Sequence, residues 1–329
     1  MVRELEQNLL AIIQDAFPLE DRPYQVLAGQ LGSDEQSVFD AVENLRMSGV
    51  IRRIGGVYDS KALGFISRLC AGKVCYVDKF ADAVNEIPVI THNYVRSHEY
   101  NVWFTVIAES EDEIRKIVDG LCTSTDLHDV HILSATKKFK INTVMGAGAP
   151  VDSRQLTVDS GVILSEARNS DLSLRKQSPA GILSDSDQAR IRVACTDIPH
   201  TLTPFKDWGV SCEELRDDRA QKRMRRFGAI LRHQEAGFAY NAMVCFGLDE
   251  RRETRDERGW ALAKKPYVSH CYERPVFEGF PYSLYAMMHA RSAEDLECYI
   301  KDAAASIGNP EYVVLHSVKE LKKTSFRFF

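Results

Sequence analysis

The chain has 329 residues, 44% of them hydrophobic and 27% charged, which is enough for two or more domains with ordinary packed cores. Its formal net charge of -5 gives no basic excess, so the composition does not favour nucleic acid or an anionic membrane as partner. Residues 1–17 mix acidic with apolar residues, unlike a signal peptide, and eight cysteines without a C-x-x-C pair disfavour disulfides and structural zinc. We therefore predict a cytoplasmic protein without a membrane span.

The first 64 residues follow the order of a winged helix-turn-helix module. Apolar residues at helical spacing predict a helix over residues 5–17, and PYQVLAGQLG predicts a short second helix. Ser33 and Gln36 are placed as a capping box for a third helix, which Gly49 ends. The run IRRIGGVYD that follows is typical of a β-wing with a glycine turn.

Residues 65–145 alternate strands and helices in the order βαββαβ. The stretch LGFISRLCAGKVCYV predicts a strand, and a helix, two strands, a helix and a last strand follow it. This order predicts a ferredoxin-like domain, with Lys137, Lys138 and Lys140 as a solvated basic tail. Residues 146–180 contain few large apolar residues and no sustained period, so they are predicted to be a linker.

The pattern then starts again. MRRFGAILRHQEAGF, residues 224–238, aligns without a gap with IRRIGGVYDSKALGF, residues 51–65, and Ser211 with Glu214 repeats the capping box. We predict a second winged helix-turn-helix over 181–237 and a second ferredoxin-like domain over 238–329. The fold class is α+β, with two tandem copies of a winged helix-turn-helix plus a ferredoxin-like βαββαβ domain.

Each half also carries an H-x-Y-x-R pattern. Alternate residues of a strand share one face, so each pattern aligns a histidine, a tyrosine and an arginine. We call His92, Tyr94 and Arg96 the first row, and His270, Tyr272 and Arg274 the second row. A single copy is equally compatible with the polar face of an edge strand, but two copies inside a longer repeat favour a functional site.

Neither candidate recognition helix suits DNA. Residues 33–48 hold four carboxylates against Arg46 alone, and residues 211–223 place acidic residues first and basic residues last, which matches the helix dipole rather than a groove. The wing arginines remain available for phosphate or for an anionic ligand; they are Arg52, Arg53, Arg225 and Arg226. DNA binding is therefore disfavoured.

These blocks resemble a known family. A winged helix-turn-helix followed by a βαββαβ domain is similar to the Lrp/AsnC regulators. More specifically, IRRIGGVYDSKALGF with THNYVRSHEYNVWFT, and MRRFGAILRHQEAGF with SHCYERPVFEGFPYSLYAMMH, resemble the two subunits of siroheme decarboxylase joined in one chain. The resemblance implies a carboxy-lyase that removes the acetate carboxyl groups at carbons 12 and 18 of siroheme, giving 12,18-didecarboxysiroheme on the way to haem or d-type haem. It also implies no cofactor and no metal of the protein's own, because the substrate carries the iron.

Two other classes stay open on the residues alone. One is an Lrp/AsnC-like transcription regulator, and the other is a tetrapyrrole-binding protein without turnover. The expected partners of the enzyme are siroheme and its didecarboxy product, with DNA disfavoured and no membrane. The two halves are expected to pair as an internal pseudo-dimer, with the linker permitting further homo-oligomer formation by exchange between chains.

Decarboxylation sets clear chemical demands. Loss of carbon dioxide leaves carbanion character on the methylene carbon, so an acid must supply a proton, and histidine suits that role near neutral pH. Arginines can bind the substrate carboxylates through bidentate hydrogen bonds, and aromatic side chains can pack on the macrocycle.

The halves differ in what accompanies the rows. The second half has Leu231-Arg232-His233 where the first has Tyr58-Asp59-Ser60, so we predict the principal pocket in the second half. There His270 is the predicted proton donor, Arg274 and Arg232 are carboxylate clamps, and His233 is a second donor or an axial ligand to the substrate iron. The alternative for His233 is a surface histidine.

Further substrate-binding candidates accompany these residues. Those of the second half are Tyr272, Arg225, Phe277, Phe280 and Tyr282. In the first half, His92 is a catalytic candidate for a second pocket or has become structural. Its neighbouring substrate-binding candidates are Tyr94, Arg96 and His98.

Overall fold

The computed structural model describes residues 4–141, 183–232, 238–248, 251–323, 326 and 328–329. The predicted linker over 146–180 and the predicted catalytic residue His233 lie outside the described residues. Within the described part of the chain, no helix has the length and apolar content needed to cross a membrane.

Three helices form the first helix-turn-helix unit: α1 (Glu4–Ile13), α2 (Pro23–Leu31) and α3 (Glu35–Met47). The N-cap of α3 is Asp34, whose carboxylate accepts a 2.9 Å hydrogen bond from the Ser37 N–H. The capping box predicted at Ser33 and Gln36 is therefore wrong by one residue. A carboxylate at this position also benefits from the positive end of the helix dipole.

The rest of the first half follows the predicted βαββαβ order and adds one strand. Its elements are β1 (Ile51–Tyr58), β2 (Ile66–Lys73), α4 (Val77–Asn85), β3 (Ile90–Arg96), β4 (Val102–Ala108), α5 (Glu111–Ser124), β5 (His128–Leu133) and β6 (Lys137–Ile141). Helix α5 starts as its sequence requires, since the Ser110 hydroxyl accepts from the Glu113 N–H and three acidic residues occupy its first turn.

The second half repeats this plan. Its elements are α6 (Asp185–Ala194), α7 (Pro204–Trp208), α8 (Cys212–Ala220), β7 (Met224–Leu231), β8 (Tyr240–Phe246), α9 (Arg252–Ala263), β9 (Val268–Glu273), β10 (Leu284–Ala290), α10 (Ala293–Ser306) and β11 (Tyr312–Lys323). Ser211 is the N-cap of α8, as predicted, and accepts from the Glu213 and Glu214 N–H groups. The predicted α+β fold class with two tandem copies is confirmed.

The two wings complete each other. Strands β1 and β7 pair antiparallel in a two-stranded sheet of their own, with Gly55 opposite Gly228. The glycine turn predicted inside IRRIGGVYD is therefore wrong, because this run is one continuous strand. The glycines serve close packing instead: a Cβ at Gly55 would lie 2.3 Å from the Thr196 carbonyl oxygen, and one at Gly228 would lie 2.4 Å from that of Ile13.

The remaining strands form one nine-stranded sheet, in the order β5-β2-β4-β3-β11-β8-β10-β9-β6. Each half donates its last strand to the other, since β6 pairs with β9 and the end of β11 pairs with β3. The basic run Lys137 to Lys140 is consequently a paired strand, so its prediction as a tail is wrong, whereas the Lys138 side chain is exposed, as predicted for a solvated face. Backbone hydrogen bonding to the other half outweighs the polar composition of this segment.

Four hydrophobic clusters hold this arrangement together. One is shared by both helix-turn-helix units and both wing strands, and one lies under the helices of each ferredoxin-like domain. The fourth joins β2, β4 and β5 to β8, β10 and β11, so the sheet folds over and packs on itself. Its buried members are Ala71, Tyr100, Trp103, Leu133, Met243, Cys245, Phe280, Tyr285 and Leu315.

The close packing of the wings predicts that one methyl group added at Gly55 destabilises the protein. Gly55→Ala should lower the free energy of unfolding by about 1–3 kcal/mol, because the Thr196 carbonyl oxygen is main chain and cannot move aside cheaply. Gly120→Ala, in α5 with no neighbouring atom within 4 Å, should instead gain up to about 1 kcal/mol. Urea denaturation of both variants measures the difference, and equal stabilities would contradict the packing described.

Candidate functional site

The first row runs from the interior of the protein towards its surface, whereas the second row is partly exposed along its length. In the first row Arg96 is buried, Tyr94 is half-buried and His92 is exposed, while the alternating residues Thr91, Asn93 and Val95 are all buried. All three members of the second row are partly exposed. The predicted alternation therefore places the three side chains of each row on one face of a strand.

The arginine ends of both rows bind the other half of the protein. Nη1 of Arg96 donates to the Leu315 carbonyl oxygen at 3.2 Å and to the Ser317 hydroxyl at 2.5 Å. Nη1 of Arg274 donates to the Leu133 carbonyl oxygen at 2.7 Å. Burial lowers the pKa of Arg96 to about 10 and also lowers that of Arg274. The predicted clamp roles of Arg96 and Arg274 conflict with this geometry, because both guanidinium groups already hold strands together across the folded sheet.

The tyrosines lie over these arginines. The Arg96 guanidinium is 4.8 Å from the centroid of the Tyr94 ring, and that of Arg274 is 5.0 Å from the Tyr272 centroid. Burial raises the pKa of both phenols. They are consequently neutral hydrogen-bonding groups near pH 7, placed between the arginine and the histidine of each row.

Three charged residues lie over the first row, two from the wings and one from strand β11. Arg52 of β1, Arg232 at the end of β7 and Glu320 of β11 form this first cluster, with Glu320 directly opposite Tyr94 in the strand register. Burial lowers the pKa of Arg52; Glu320 and Tyr94 oppose that shift, and Arg232 adds to it. The first row is therefore accompanied by two cations and one carboxylate.

A corresponding second cluster lies over the second row. It consists of Arg225 of β7, Asp59 at the end of β1 and Lys138 of β6, which is directly opposite Tyr272. Burial lowers the pKa of Lys138, Asp59 opposes this shift, and the nearby cations Arg225, Lys61 and Arg274 add to it. With Lys61, which also acts on Lys138, this cluster holds three cations and one carboxylate. Its carboxylate comes from the wing rather than from the exchanged strand.

The prediction that Arg232 accompanies His270 is therefore wrong. Antiparallel pairing of β1 with β7 sets Leu231 opposite Ile51, and the Arg232 N–H donates to the Val50 carbonyl oxygen at 3.0 Å. At the other end of the pair, the Asp59 N–H donates to the Arg223 carbonyl oxygen at 2.8 Å. Arg232 thus lies with the first row, and Asp59 lies with the second.

The aromatic residues predicted to pack on a macrocycle lie mostly in the seam between the two halves. Phe280 is fully buried, with its ring 5.6 Å from Trp103, and Phe277 stacks on His131 at 3.9 Å. Tyr282 is partly exposed and contacts Phe280 edge-on at 4.9 Å. A substrate-binding role for Phe280 conflicts with its burial, and the contacts of Phe277 are internal.

His98 belongs to the same seam. Its Nδ1 accepts a hydrogen bond from the Tyr100 N–H at 3.1 Å, and its ring lies 5.4 Å from Phe280. Burial lowers its pKa. It lies in the bend that follows the end of β3 at Arg96, and its contacts are with the seam rather than with the first cluster, so it does not join that cluster as the prediction required.

Sequence reasoning missed Lys138 and Glu320. Both lie opposite the tyrosine of a row, but they reach it only through strands donated by the other half. The available signal was the match of KKFK at 137–140 with KELK at 319–322 as a further block of the repeat. Within the described residues, no group of three or more His, Cys, Asp or Glu could hold a metal ion, and all eight cysteines are free.

The row arginines give a prediction about stability. Arg274→Ala should lower the free energy of unfolding by about 1–3 kcal/mol, because the Leu133 carbonyl loses its donor inside the protein. Arg225→Ala removes an exposed side chain of the same type and should leave stability within about 0.5 kcal/mol. Chemical denaturation compares the two, and an unchanged midpoint for Arg274→Ala would show that Arg274 is not a structural tie.

Comparison with known proteins agrees with this architecture. Residues 6–52 match the siroheme decarboxylase NirDL-like HTH domain, and residues 62–140 and 235–322 each match the AsnC-like ligand binding domain. The siroheme decarboxylase of Hydrogenobacter thermophilus is 30% identical, covering 98% of this chain and 94% of its own. The siroheme decarboxylase alpha subunit of Desulfovibrio desulfuricans is 47% identical, covering 42% of this chain and 80% of its own.

A solved structure extends the likeness to the whole fold. The crystal structure of the siroheme decarboxylase NirDL superposes with a TM-score of 0.68 at 26% identity, covering 99% of this chain and 94% of that one. Two AsnC-like domains in a single polypeptide correspond to the fused arrangement of that enzyme. The chain therefore belongs to the siroheme decarboxylase family, in its single-chain fused form.

Proposed function

We propose that this protein is a carboxy-lyase that converts siroheme to 12,18-didecarboxysiroheme in haem biosynthesis, with the product passing to haem or d-type haem. Membership of the siroheme decarboxylase family supports the reaction class. The observation that carries the proposal is the pair of clusters, each of which places cations from different parts of the chain beside the tyrosine of a row.

Charge complementarity supports a polycarboxylate substrate. Arg225 and Lys138 of the second cluster come from opposite halves, so a ligand that contacts both bridges the wing and the sheet. Charge-assisted hydrogen bonds from such cations to carboxylates are stronger than neutral ones. Asp59 in the same cluster would repel a carboxylate placed beside it and thereby restrict the orientations that the macrocycle can take.

The chemistry assigned to the second row follows from the reaction. Each acetate loses carbon dioxide while the carbon–carbon bonding electrons pass to the methylene carbon, and the macrocycle delocalises the developing charge. A proton from His270 then completes the methyl group. Tyr272, half-buried between His270 and the internal Arg274, orients the substrate through its neutral hydroxyl group.

The proposal needs no cofactor of the protein's own, since iron and the electron sink both belong to the substrate. His233 remains a proposed second donor or axial ligand to that iron. Arg232, which lies over the first row, is reassigned as a carboxylate-binding residue there. The first row, with His92, is proposed as a weaker second pocket.

A regulatory function has less support. The basic residue of α3, Arg46, donates a 2.9 Å hydrogen bond to Asp197, and the Glu35 carboxylate pairs with Arg22. The face that a DNA-reading helix would present is therefore acidic, apart from an arginine already held in an ion pair.

The two rows provide matched variants. His270→Ala should reduce the decarboxylation rate by about 10²–10⁴-fold, because the proton donor is lost, whereas His92→Ala should retain most of the wild-type rate. Anaerobic incubation with siroheme, followed by mass analysis for loss of two carboxyl groups, measures both. Full activity of His270→Ala would rule out the assigned donor, and a selective loss in His92→Ala would move the reaction to the first row.

The wing cations should govern binding. Arg225→Ala should weaken siroheme binding about tenfold, since one charge-assisted contact to a carboxylate is lost, with a smaller change for Arg52→Ala. Arg115→Ala serves as the charge control. Arg115 lies on the exposed face of α5, and among the described residues its ion pair is with Asp112, three residues earlier. Absorbance titration gives the dissociation constants; equal effects of Arg225→Ala and Arg115→Ala would mean that the second cluster does not bind substrate.

A further inference from the structure

We propose that Ser269 and His289 form a proton relay behind His270, and that this relay makes the second row the reacting one. The proposal rests on the decarboxylation proposed above and names two residues that act on the substrate only through His270. It was not foreseen from the H-x-Y-x-R pattern, because His289 lies on a different strand, β10.

The three side chains form a continuous hydrogen-bonded chain. The Ser269 hydroxyl oxygen is 2.9 Å from Nδ1 of His270 and 3.0 Å from Nε2 of His289. Ser269 and His289 are each only 7% exposed, whereas His270 is partly exposed, so the chain leads from a buried imidazole to one that reaches the site. The Met287 carbonyl oxygen lies farther from the hydroxyl, at 3.3 Å, so the imidazole contacts are the shorter ones.

The first half has a hydroxyl group beside its row histidine but no second imidazole at the position that corresponds to His289. The Thr91 hydroxyl oxygen is 3.0 Å from Nδ1 of His92, as Ser269 is from His270. In the strand register Trp103 lies opposite Tyr94, just as Tyr285 lies opposite Tyr272. Ile107 and His289 each follow four residues later on the same strand. Ile107 is therefore the counterpart of His289. An isoleucine side chain can neither donate nor accept a hydrogen bond, so the first row has no corresponding imidazole.

A relay of this kind meets the proton balance of the reaction. Each decarboxylation breaks one carbon–carbon bond, releases carbon dioxide and consumes one proton at the methylene carbon. As His270 gives its Nε2 proton to that carbon, its Nδ1 takes the hydroxyl proton of Ser269, which in turn takes the Nε2 proton of a protonated His289. A hydroxyl group can accept and donate at once, so no charge is left on Ser269.

Coverage of the site by substrate gives the relay a use. Bound macrocycle covers the solvent-facing side of His270 in the proposed complex, so the relay supplies one proton from behind while the macrocycle stays bound. That transfer leaves the remaining ring proton of His270 on Nδ1 and His289 neutral, so the second event needs a new proton at Nε2 of His270. The buried relay and the exposed mouth are thus on opposite sides of the same imidazole.

Four variants separate proton transfer from support of the fold. Ser269→Ala breaks the chain, whereas Ser269→Thr keeps a hydroxyl group like that of Thr91 in the first half. His289→Gln keeps an N–H group for Ser269 but cannot carry a proton, and Thr91→Ala is the matched change in the first row. We expect Ser269→Ala and His289→Gln to slow single-turnover decarboxylation about 100-fold with unchanged siroheme affinity, while Ser269→Thr and Thr91→Ala stay near the wild-type rate.

A second measurement does not depend on turnover. Imidazole ¹⁵N resonances of the ligand-free protein report which ring nitrogen of His270 carries the proton, and Ser269→Ala should change that tautomer balance whereas Ser269→Thr should not. Unchanged resonances in Ser269→Ala would overturn the hydrogen-bonded chain. If the wild-type protein turns over siroheme and His289→Gln does so at the full rate, the relay is overturned but the proposed function stands. If the wild-type protein releases no carbon dioxide from siroheme, the proposed function itself is overturned.

Discussion

The antiparallel pairing of β1 with β7 is the constraint on which the rest of the structure depends. It brings the two helix-turn-helix units into one hydrophobic cluster and fixes which wing residue lies over which row. Gly55 and Gly228 face each other in this pair, and each lies against a main-chain carbonyl oxygen that leaves no room for a side chain. Since the strands run in opposite directions, the end of one wing lies beside the start of the other.

Strand exchange also joins the two halves within the nine-stranded sheet. Because β6 pairs with β9 and β11 reaches β3, each cluster combines a row from one half with a strand donated by the other and cations from the wings. Arg96 and Arg274 then connect the two halves through main-chain carbonyls. Neither cluster is complete within one half of the chain, which explains why a fused polypeptide suits this architecture: the two halves are always present in equal amount and close together.

The duplicated scaffold supports two different sites. The carboxylate is donated by the exchanged strand in the first cluster, at Glu320, and by the wing in the second, at Asp59. Behind the rows, the partly buried Ile107 or the buried His289 decides whether the row histidine has a second imidazole within hydrogen-bonding reach. A few substitutions on one backbone therefore give the two rows different charged and hydrogen-bonding neighbours.

The sequence by itself determined the local elements, their order and the duplication, since helical spacing, period-two alternation and repeated blocks all act within short stretches of chain. It also placed each row on one face of a strand. Tertiary structure alone decided what faces each row. The capping error at Ser33 arose within one turn of helix. The misplacement of Arg232, the burial of Phe280 and the pairing of Lys138 instead arose from contacts between residues more than 100 positions apart. No local period encodes such contacts, because they follow from which edges and apolar faces of the two halves remain to be covered once each has folded.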